Sequence, residues 1–348
     1  MKVLLIKVSA LGDIIHALPV AAHLKSCPQI REIHWLLEEQ FSPLLVNQPL
    51  IDKIQLINTK KWRRQGIAAS LQGVLNTIRR LRREKYDLVL DLQGNSKSGM
   101  FTRFSGAPLR YGFDADEVRE WPNILATNRH IGLGKTVTHI IDKNLALATS
   151  AFPGSPPPLL QGPLQADSHY LNQVEKKLSA LRKEKGPLII FHYGTTWETK
   201  LWSIESWIEL ARSLWETRTI PPLLTWGNEE ELDAVKKIAS ACPHTIVWPR
   251  GDLEELIALL KIAELVVGGD TGPIHIAAAL GTPTISYYRA TDHRRNGPRG
   301  EKHTCFQSTM NCSPCLLRTC QQDERCRQTI LPENILKAIH TLLKKQHM

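Results

Sequence analysis

Leu265-Val-Val-Gly-Gly-Asp270-Thr-Gly-Pro273-Ile-His275, continued through Ile276-Ala-Ala-Ala-Leu280-Gly-Thr-Pro283-Thr-Ile-Ser-Tyr287, decides the fold. Leu265–Gly268 is an apolar run of strand length, and two glycines, an acid and a hydroxyl then make a tight turn. Pro273 falls where the first turn of a helix begins, a position that costs no hydrogen bond and presets the helical dihedral. The helix runs to Leu280, and Pro283–Tyr287 is a second buried strand. A strand, a crossover helix and another buried strand make a parallel unit, so the sheet has helices on both faces.

The same alternation extends in both directions. Upstream lie the strand Pro187–Tyr193, the helix Ile204–Glu216, the strand Pro222–Trp226, the helix Glu230–Ala241, the strand Thr245–Trp248 and the helix Leu253–Ile262. A helix at about Ser168–Glu184 precedes them. Phe152–Pro163 (FPGSPPPLLQGP) has five prolines and two glycines in twelve residues, a linker composition. Before it a second alternation starts at Met1–Val8, turns at Ser9-Ala-Leu-Gly12-Asp13, and continues through a helix at Ile14–Lys25. Strands at Ile33–Leu37, Ile54–Ile57 and Tyr86–Leu92 follow, with helices at Ile67–Glu84 and Val137–Ser150. The expectation is α/β: two Rossmann-like doubly wound domains facing each other across a ligand-binding cleft. Residues 1–151 form the first, 152–165 the linker and 166–330 the second, and a last helix over 331–348 packs back toward the first domain.

The 348 residues carry 44 Lys and Arg against 34 Asp and Glu, a net charge of +10, with 42% hydrophobic and 22% charged residues. These values exclude disordered and fibrous classes. No apolar run reaches the roughly 20 residues of a membrane span, since Leu256–Gly269 contains Lys261 and Glu264. Lys7 and Asp13 interrupt the N-terminal apolar stretch, so it is no signal peptide. The expected location is the cytoplasm, with attachment to a membrane only at its surface. Between Lys60 and Lys85 nine cations, including Lys61, Arg63 and Arg64, face one acid, Glu84, which is 9 − 1 = +8 of the total. Such a patch attracts polyanions, and Trp62 inside Lys-Lys-Trp-Arg-Arg reads as an exposed contact aromatic. No zinc-finger spacing or RNP-like motif accompanies it, so nucleic acid is not the expected partner.

Four constellations carry chemistry. Asp270, Thr271 and Gly272 open a helix whose N–H groups and partial positive charge make an anion site, and Asp270 either caps the helix or meets a ligand hydroxyl. Asp13 follows the first strand; it either serves the helix as a cap or acts as general base toward a sugar hydroxyl, with Ser9 and Gly12 beside it. Thr195, Thr196 and Lys200 follow another strand and suit a diphosphate, the lysine neutralising charge on the leaving group. Trp226-Gly-Asn-Glu-Glu-Glu231 ends a further strand with acids that suit ribose or base. Gly134-Lys135-Thr136 lacks the earlier glycine of a P-loop, Asp114-Ala-Asp116 lies in a loop away from the anion site, and no G-x-G-x-x-G occurs. Cys312, Cys315, Cys320 and Cys326 are spaced x2, x4 and x5, unlike a standard zinc ribbon; reduced cysteines packing a loop and a structural metal are the two readings.

With these residues in hand, the chain resembles the ADP-heptose:lipopolysaccharide heptosyltransferases, most closely the heptosyltransferase I group. The matching stretches are KVLLIKVSALGDIIHALP, KKWRR, YDLVLDLQGNSKSG, VREWPN, HYGTTWETKLW, TWGNEEE and VVGGDTGPIHIAAALGTPTIS, in that order from Met1 to about Tyr288. The resemblance implies a GT-B fold and a metal-independent, inverting transfer from ADP-L-glycero-β-D-manno-heptose to a Kdo residue of lipid A at the inner face of the cytoplasmic membrane. No cofactor is implied. By position it implies Asp13 as base and Lys200 near the diphosphate. Thr195, Thr196, Glu231, Gly251, Asp270, Thr271, Gly272 and His275 fall on the donor, and Ser9, Gly12, Lys61, Arg63, Arg64 and Arg119 on the acceptor. The cysteine-rich tail departs from the heptosyltransferase I pattern and leaves the subgroup and exact acceptor open; with the basic patch at Lys60–Lys85, two other readings remain. One is a related sugar-nucleotide enzyme with another acceptor, heptosyltransferase II-like or an epimerase; the other is a non-catalytic polyanion-binding protein.

Overall fold

A computed structural model describes residues 1–134, 136–154, 164–182 and 186–346. The chain divides into two compact units, Met1–Gln165 and Ala166–Met348. Most of the proline-rich stretch, 155–163, lies outside the described residues, as do Lys135 and 183–185.

Among the described residues of the first unit, β1 (Lys2–Ile6), β2 (Glu32–Glu38), β3 (Lys53–Ile57), β4 (Leu88–Asp91), β5 (Leu109–Phe113) and β6 (Arg129–Ile131) form one sheet, ordered β3-β2-β1-β4-β5-β6. All its pairings are parallel. Val3–Ile6 are buried on both faces, as a central parallel strand requires. The helices are α1 (Leu11–Ile15), α2 (Leu18–Lys25), α3 (Thr59–Gln65), α4 (Ile67–Glu84), α5 (Ser96–Phe104) and α6 (Ile140–Ala151). α2 packs on α6. Leu81, Val74 and Ile78 of α4 and Phe101 of α5 cover the cluster formed by Leu4, Ile6, Leu36 and Val89.

The helix expected over Ile14–Lys25 is broken between α1 and α2. Pro19, in the first turn of α2, has no N–H to donate and its ring obstructs the carbonyl four residues back, so the helix restarts there. The strands β5 and β6 were not legible as apolar runs, because β5 is half-buried at its start and β6 is an exposed edge. Trp62 is also placed differently from its reading. It is half-buried, and its indole lies where a Cβ on Gly73 would stand, 2.5 Å from Cδ2, so it locks α3 onto α4 instead of meeting a partner.

The second unit contains α7 (Ser168–Leu181), β7 (Ile189–His192), α8 (Ile204–Arg218), β8 (Leu223–Thr225), α9 (Glu229–Ala241), β9 (Ile246–Val247), α10 (Leu253–Ile262), β10 (Leu265–Gly269), α11 (Gly272–Ala279) and β11 (Thr284–Tyr288). It ends with α12 (His293–Asn296), β12 (His303–Gln307), α13 (Asp323–Gln328) and α14 (Pro332–Gln346). Its sheet, again parallel, is ordered β12-β11-β10-β7-β8-β9. Phe191, Trp207, Trp202 and Tyr287 form the middle of its core, with successive ring centroids 5.1, 5.2 and 5.5 Å apart. The last helix, expected to turn toward the first domain, packs on α8 and adds Ile335, Ile339, Leu342 and Leu343 to this second core. The apolar row on α14 is thereby used within its own unit.

In both sheets the strand order reverses at one place, between β1 and β4 in the first unit and between β7 and β10 in the second. Loops leaving the carboxyl ends of two such strands diverge to opposite faces and leave a crevice, the usual ligand position in open α/β sheets.

Candidate functional site

In the second unit the crevice is built from the loops after β7 and β10. Asp270 follows β10 directly, and its carboxylate is 3% exposed. Oδ2 accepts hydrogen bonds from Lys200 Nζ at 2.6 Å and Thr291 Oγ1 at 2.8 Å. Oδ1 takes part in a 3.2 Å bond with His275 Nε2 and accepts from Asn296 Nδ2 at 2.7 Å. Burial alone would raise this carboxyl, but the His275 hydrogen bond and the Lys200 charge outweigh it and hold the group well below the usual carboxylate range. Asp270 therefore does not cap α11: its carboxylate positions Lys200. The N-cap of α11 is Thr271, and no side chain caps that end. The first-turn N–H groups of α11 are thus left without a side-chain cap, the condition an anion site at a helix N-terminus needs.

Gly269 is required by the same arrangement. A Cβ there would stand 3.1 Å from the Lys200 carbonyl oxygen, so glycine lets the Lys200 loop lie against β10. Lys200 Nζ also lies 4.8 Å from the Trp197 ring centroid, with the Arg318 guanidinium 5.1 Å from the same ring. Thr199 Oγ1 donates to Leu317 O at 2.5 Å. Arg289, buried, bonds the Leu201 carbonyl and Asp323. The cysteine-rich tail thus braces the lysine loop.

The three adjacent glutamates after β8 differ in placement. Glu229 and Glu230 are exposed, whereas the Glu231 carboxylate turns inward, accepting from Gly227 N–H at 2.7 Å and from Asn228 Nδ2 at 3.0 Å. Thr195 N–H also bonds it, and a Cβ on Gly194 would fall 2.1 Å from Oε2. Burial pushes its pKa up against these hydrogen bonds. Asn228 in turn accepts from Glu231 N–H at 3.0 Å, a reciprocal cap on α9. Thr196, exposed, follows Thr195 on the same loop. Gly251 lies farther along the same sheet edge, after β9, where a Cβ would meet the Glu255 carboxylate. His192, at the end of β7, is fully buried against Thr225 Oγ1 at 2.9 Å, and burial lowers its pKa to about 4. It is neutral at physiological pH.

In the first unit the crevice holds Ser9, Gly12 and Asp13 from the β1 loop. Gln93, after β4, accepts from Val8 N–H at 3.1 Å and Ser9 N–H at 3.3 Å, which fixes that loop. Asp13 is half-buried in the first turn of α1 and accepts a 3.3 Å bond from Ala10 N–H. Arg119 is exposed and its backbone lies against Gly94, on the β4 side of the same crevice. Lys61, Arg63 and Arg64 are exposed on α3, after the edge strand β3, and do not join Asp13 directly. Asp114 Oδ1 accepts the backbone N–H of Asp116 and Glu117, a turn rather than a ligand pair.

Cys312, Cys315, Cys320 and Cys326 border one cavity with Thr199 and Arg289. Among the described residues no group of three or more His, Cys, Asp or Glu comes together as a metal-ligand set, so their arrangement fits reduced thiols packing a loop. Sequence reasoning missed Gln93, Thr291, Asn296 and Arg289. Gln93 had a signal, since it follows a buried strand in Gln-Gly-Asn, but Arg289 and Thr291 come from the loop after β11 and Asn296 from the short helix α12, with no local pattern.

Comparison with known proteins is consistent along the chain. The family described as glycosyltransferase family 9 (heptosyltransferase) matches residues 74–325. Lipopolysaccharide heptosyltransferase 1 of Pseudomonas aeruginosa is 31% identical over 322 residues, 92% of this chain and 87% of the relative. The structure of E. coli heptosyltransferase WaaC with ADP superposes with a TM-score of 0.79 at 26% identity, covering 98% of this chain and 100% of that one. WaaC with ADP-2-deoxy-2-fluoro heptose gives a TM-score of 0.72 at 27% identity over 88% of this chain and 93% of that one.

Proposed function

The chain belongs to glycosyltransferase family 9, the heptosyltransferases, and from that premise we propose that it transfers a heptose from ADP-heptose to a Kdo residue of the lipopolysaccharide inner core. The observation that carries the reading is the Lys200–Asp270 pair across the switch point of the second sheet. An ammonium has three donors, and Asp270 holds the lysine while leaving a hydrogen for a phosphate oxygen. The WaaC structures with ADP and with an ADP-heptose analogue support placing the donor there.

Transfer is a single displacement with inversion. The acceptor hydroxyl oxygen forms a bond to the anomeric carbon as the bond from that carbon to the diphosphate oxygen breaks. Asp13 takes the hydroxyl proton late, as bonding acidifies it, so a carboxylate of ordinary basicity suffices. Lys200 and the N–H groups at the start of α11 stabilise the charge gathering on ADP. Thr195 and Thr196 bond the diphosphate, Glu231 the ribose, and His275 keeps Asp270 in place. Ser9, Gly12 and Arg119 orient the acceptor, while Lys61, Arg63 and Arg64 meet its phosphates. The acceptor is a membrane lipid, so the enzyme works at the anionic inner face of the cytoplasmic membrane. No described helix is long and apolar enough to cross a membrane.

Incubation with ADP-heptose and Kdo-lipid A tests the reading. ADP release with an acceptor mass increase of one heptose is expected. Absence of both, from folded protein, overturns it.

A further inference from the structure

The α3–α4 hairpin has two apolar sides. Val74, Ile78 and Leu81 face the sheet and are covered, as an amphipathic helix over a core requires. Ile67, Leu71 and Leu75 recur every four residues and so form a second row, but they are 89%, 59% and 41% exposed. A single exposed leucine needs no explanation, whereas a row of three on one helix does.

Cations bracket this row. Lys60, Lys61, Arg63 and Arg64 precede it on α3, and Arg79, Arg82 and Arg83 follow it on the last turns of α4, all exposed. The one acid of the segment, Glu84, is engaged elsewhere, bonding Lys53 at 2.5 Å and Lys2 at 3.4 Å. The positive charge around the row is therefore not neutralised locally. Exposed aliphatics framed by exposed cations match an anionic lipid surface, whose headgroups take the charge while the acyl boundary takes the side chains. Aliphatic residues offer no ring for a base to stack on, so the pattern does not suit a nucleic acid.

We propose that the outer row of α4, Ile67-Leu71-Leu75, docks this protein on an anionic bilayer, with the flanking arginines and lysines holding it to the headgroups. The docking rests on the reading of the acceptor as a membrane lipid, and it adds the element that seats the enzyme on the membrane. The row and the arginines of α4 are distinct from Asp13, from the donor-holding residues and from the α3 cations assigned to the acceptor, so docking through α4 and chemistry are separable.

The test measures binding to vesicles of phosphatidylcholine with and without phosphatidylglycerol, in parallel with transfer to a soluble Kdo acceptor stripped of its acyl chains. The unaltered protein is expected to bind the anionic vesicles and not the neutral ones, and to weaken as salt is added. I67N/L71N should bind at least about 30-fold more weakly, from the aliphatic area it withholds from the interface. R79E/R83E, which removes no apolar contact, should show a loss of similar size, since each cation near an anionic leaflet contributes about fivefold. Both variants should keep soluble-acceptor transfer within about twofold. Vesicle binding by I67N/L71N equal to that of the unaltered protein overturns the proposal, as does equal binding to neutral vesicles. Loss of soluble-acceptor transfer in I67N/L71N would make the row part of the acceptor site, and a dimer dispersed by that variant would assign it to a second copy; either result overturns bilayer docking. Vesicle binding without transfer by the unaltered protein would defeat the proposed reaction and leave the docking standing.

Discussion

Asp270 and Lys200 are the pair whose disruption is most informative. Their side chains are 3% and 14% exposed and 2.6 Å apart. Removing one partner of such a pair leaves the other charge stranded, a cost of 3–5 kcal/mol for full burial and about 3 kcal/mol here, because Lys200 keeps some solvent. D270N keeps the side-chain shape and removes the charge; K200M keeps the aliphatic stem. In a unit of this size each kcal/mol shifts the melting temperature by about 2–4 °C, so each single variant should melt about 6–12 °C lower. The double variant strands no charge and should melt no lower than the worse single, a coupling of at least about 2 kcal/mol. The pH dependence gives a second check. The folded carboxyl titrates below the ordinary aspartate value of 3.8, so its contribution is complete above that value and is lost as pH falls through the lower folded one. The gap between the unaltered protein and D270N should stay constant from neutral down to about pH 5 and close only below about pH 4. Scanning calorimetry of the four proteins measures both effects, and ADP-heptose kinetics should show a raised KM in D270N as Lys200 loses its hold. Additive single effects in the double variant would refute the pairing, and a gap that closes near pH 6 would assign the effect to a histidine instead.

The remaining expectations concern separate residues. Asp13→Asn should lower transfer at least about 100-fold while ADP affinity, measured by calorimetry, stays unchanged; undiminished transfer removes Asp13 from the role of base. Gly194→Ala places a methyl 2.1 Å from Glu231 Oε2, so the carboxylate must move, and donor KM should rise with a stability loss of about 1–3 kcal/mol. An unchanged KM would show that Glu231 does not depend on that glycine. His192 is held near 4 in the fold against an ordinary histidine value of 6.5, so the unfolded chain binds the proton first and stability falls as pH drops between those values. From neutral to pH 5 this costs about 2 kcal/mol, and His192→Asn should flatten that part of the melting-temperature profile. An equally steep profile in the variant would place the acid sensitivity elsewhere.

The parts of the molecule that were legible in the sequence are those where local chemistry decides the outcome. β10 is an apolar run ending in glycines and β11 a β-branched and aromatic run set off by Pro283, and Asn228 and Glu231 cap α9 through bonds spanning three residues. The illegible parts depend on partners distant in sequence. β12 carries His303 and Gln307 and is a strand because it pairs with β11, not because of its pattern. Asp270 reads as a cap or a ligand contact, since Thr291 and Asn296, which complete its cage, lie beyond the next strand. Trp62 reads as a contact aromatic among cations, and only the absence of a side chain at Gly73, eleven positions on, gives it a place to pack.

The two crevices share a topology but differ in how tightly their acids are held, and the difference follows the work the proposed reaction gives each. Asp270 never needs to exchange a proton. Its carboxylate is buried and bonded on both oxygens, which fixes a cation at one spot where a diphosphate must accumulate charge without waiting for a flexible side chain to find it. As the proposed base, Asp13 has the opposite task. A base must admit a hydroxyl and release the proton afterward, so a caged carboxylate would be useless there. It is half-buried, and the bond it accepts from Ala10 N–H is 3.3 Å long, enough to set its direction while leaving lone pairs for an incoming alcohol. Exchanging these environments would fail in both places: a loosely held lysine would give up preorganisation, and a caged base would have nowhere to put the proton.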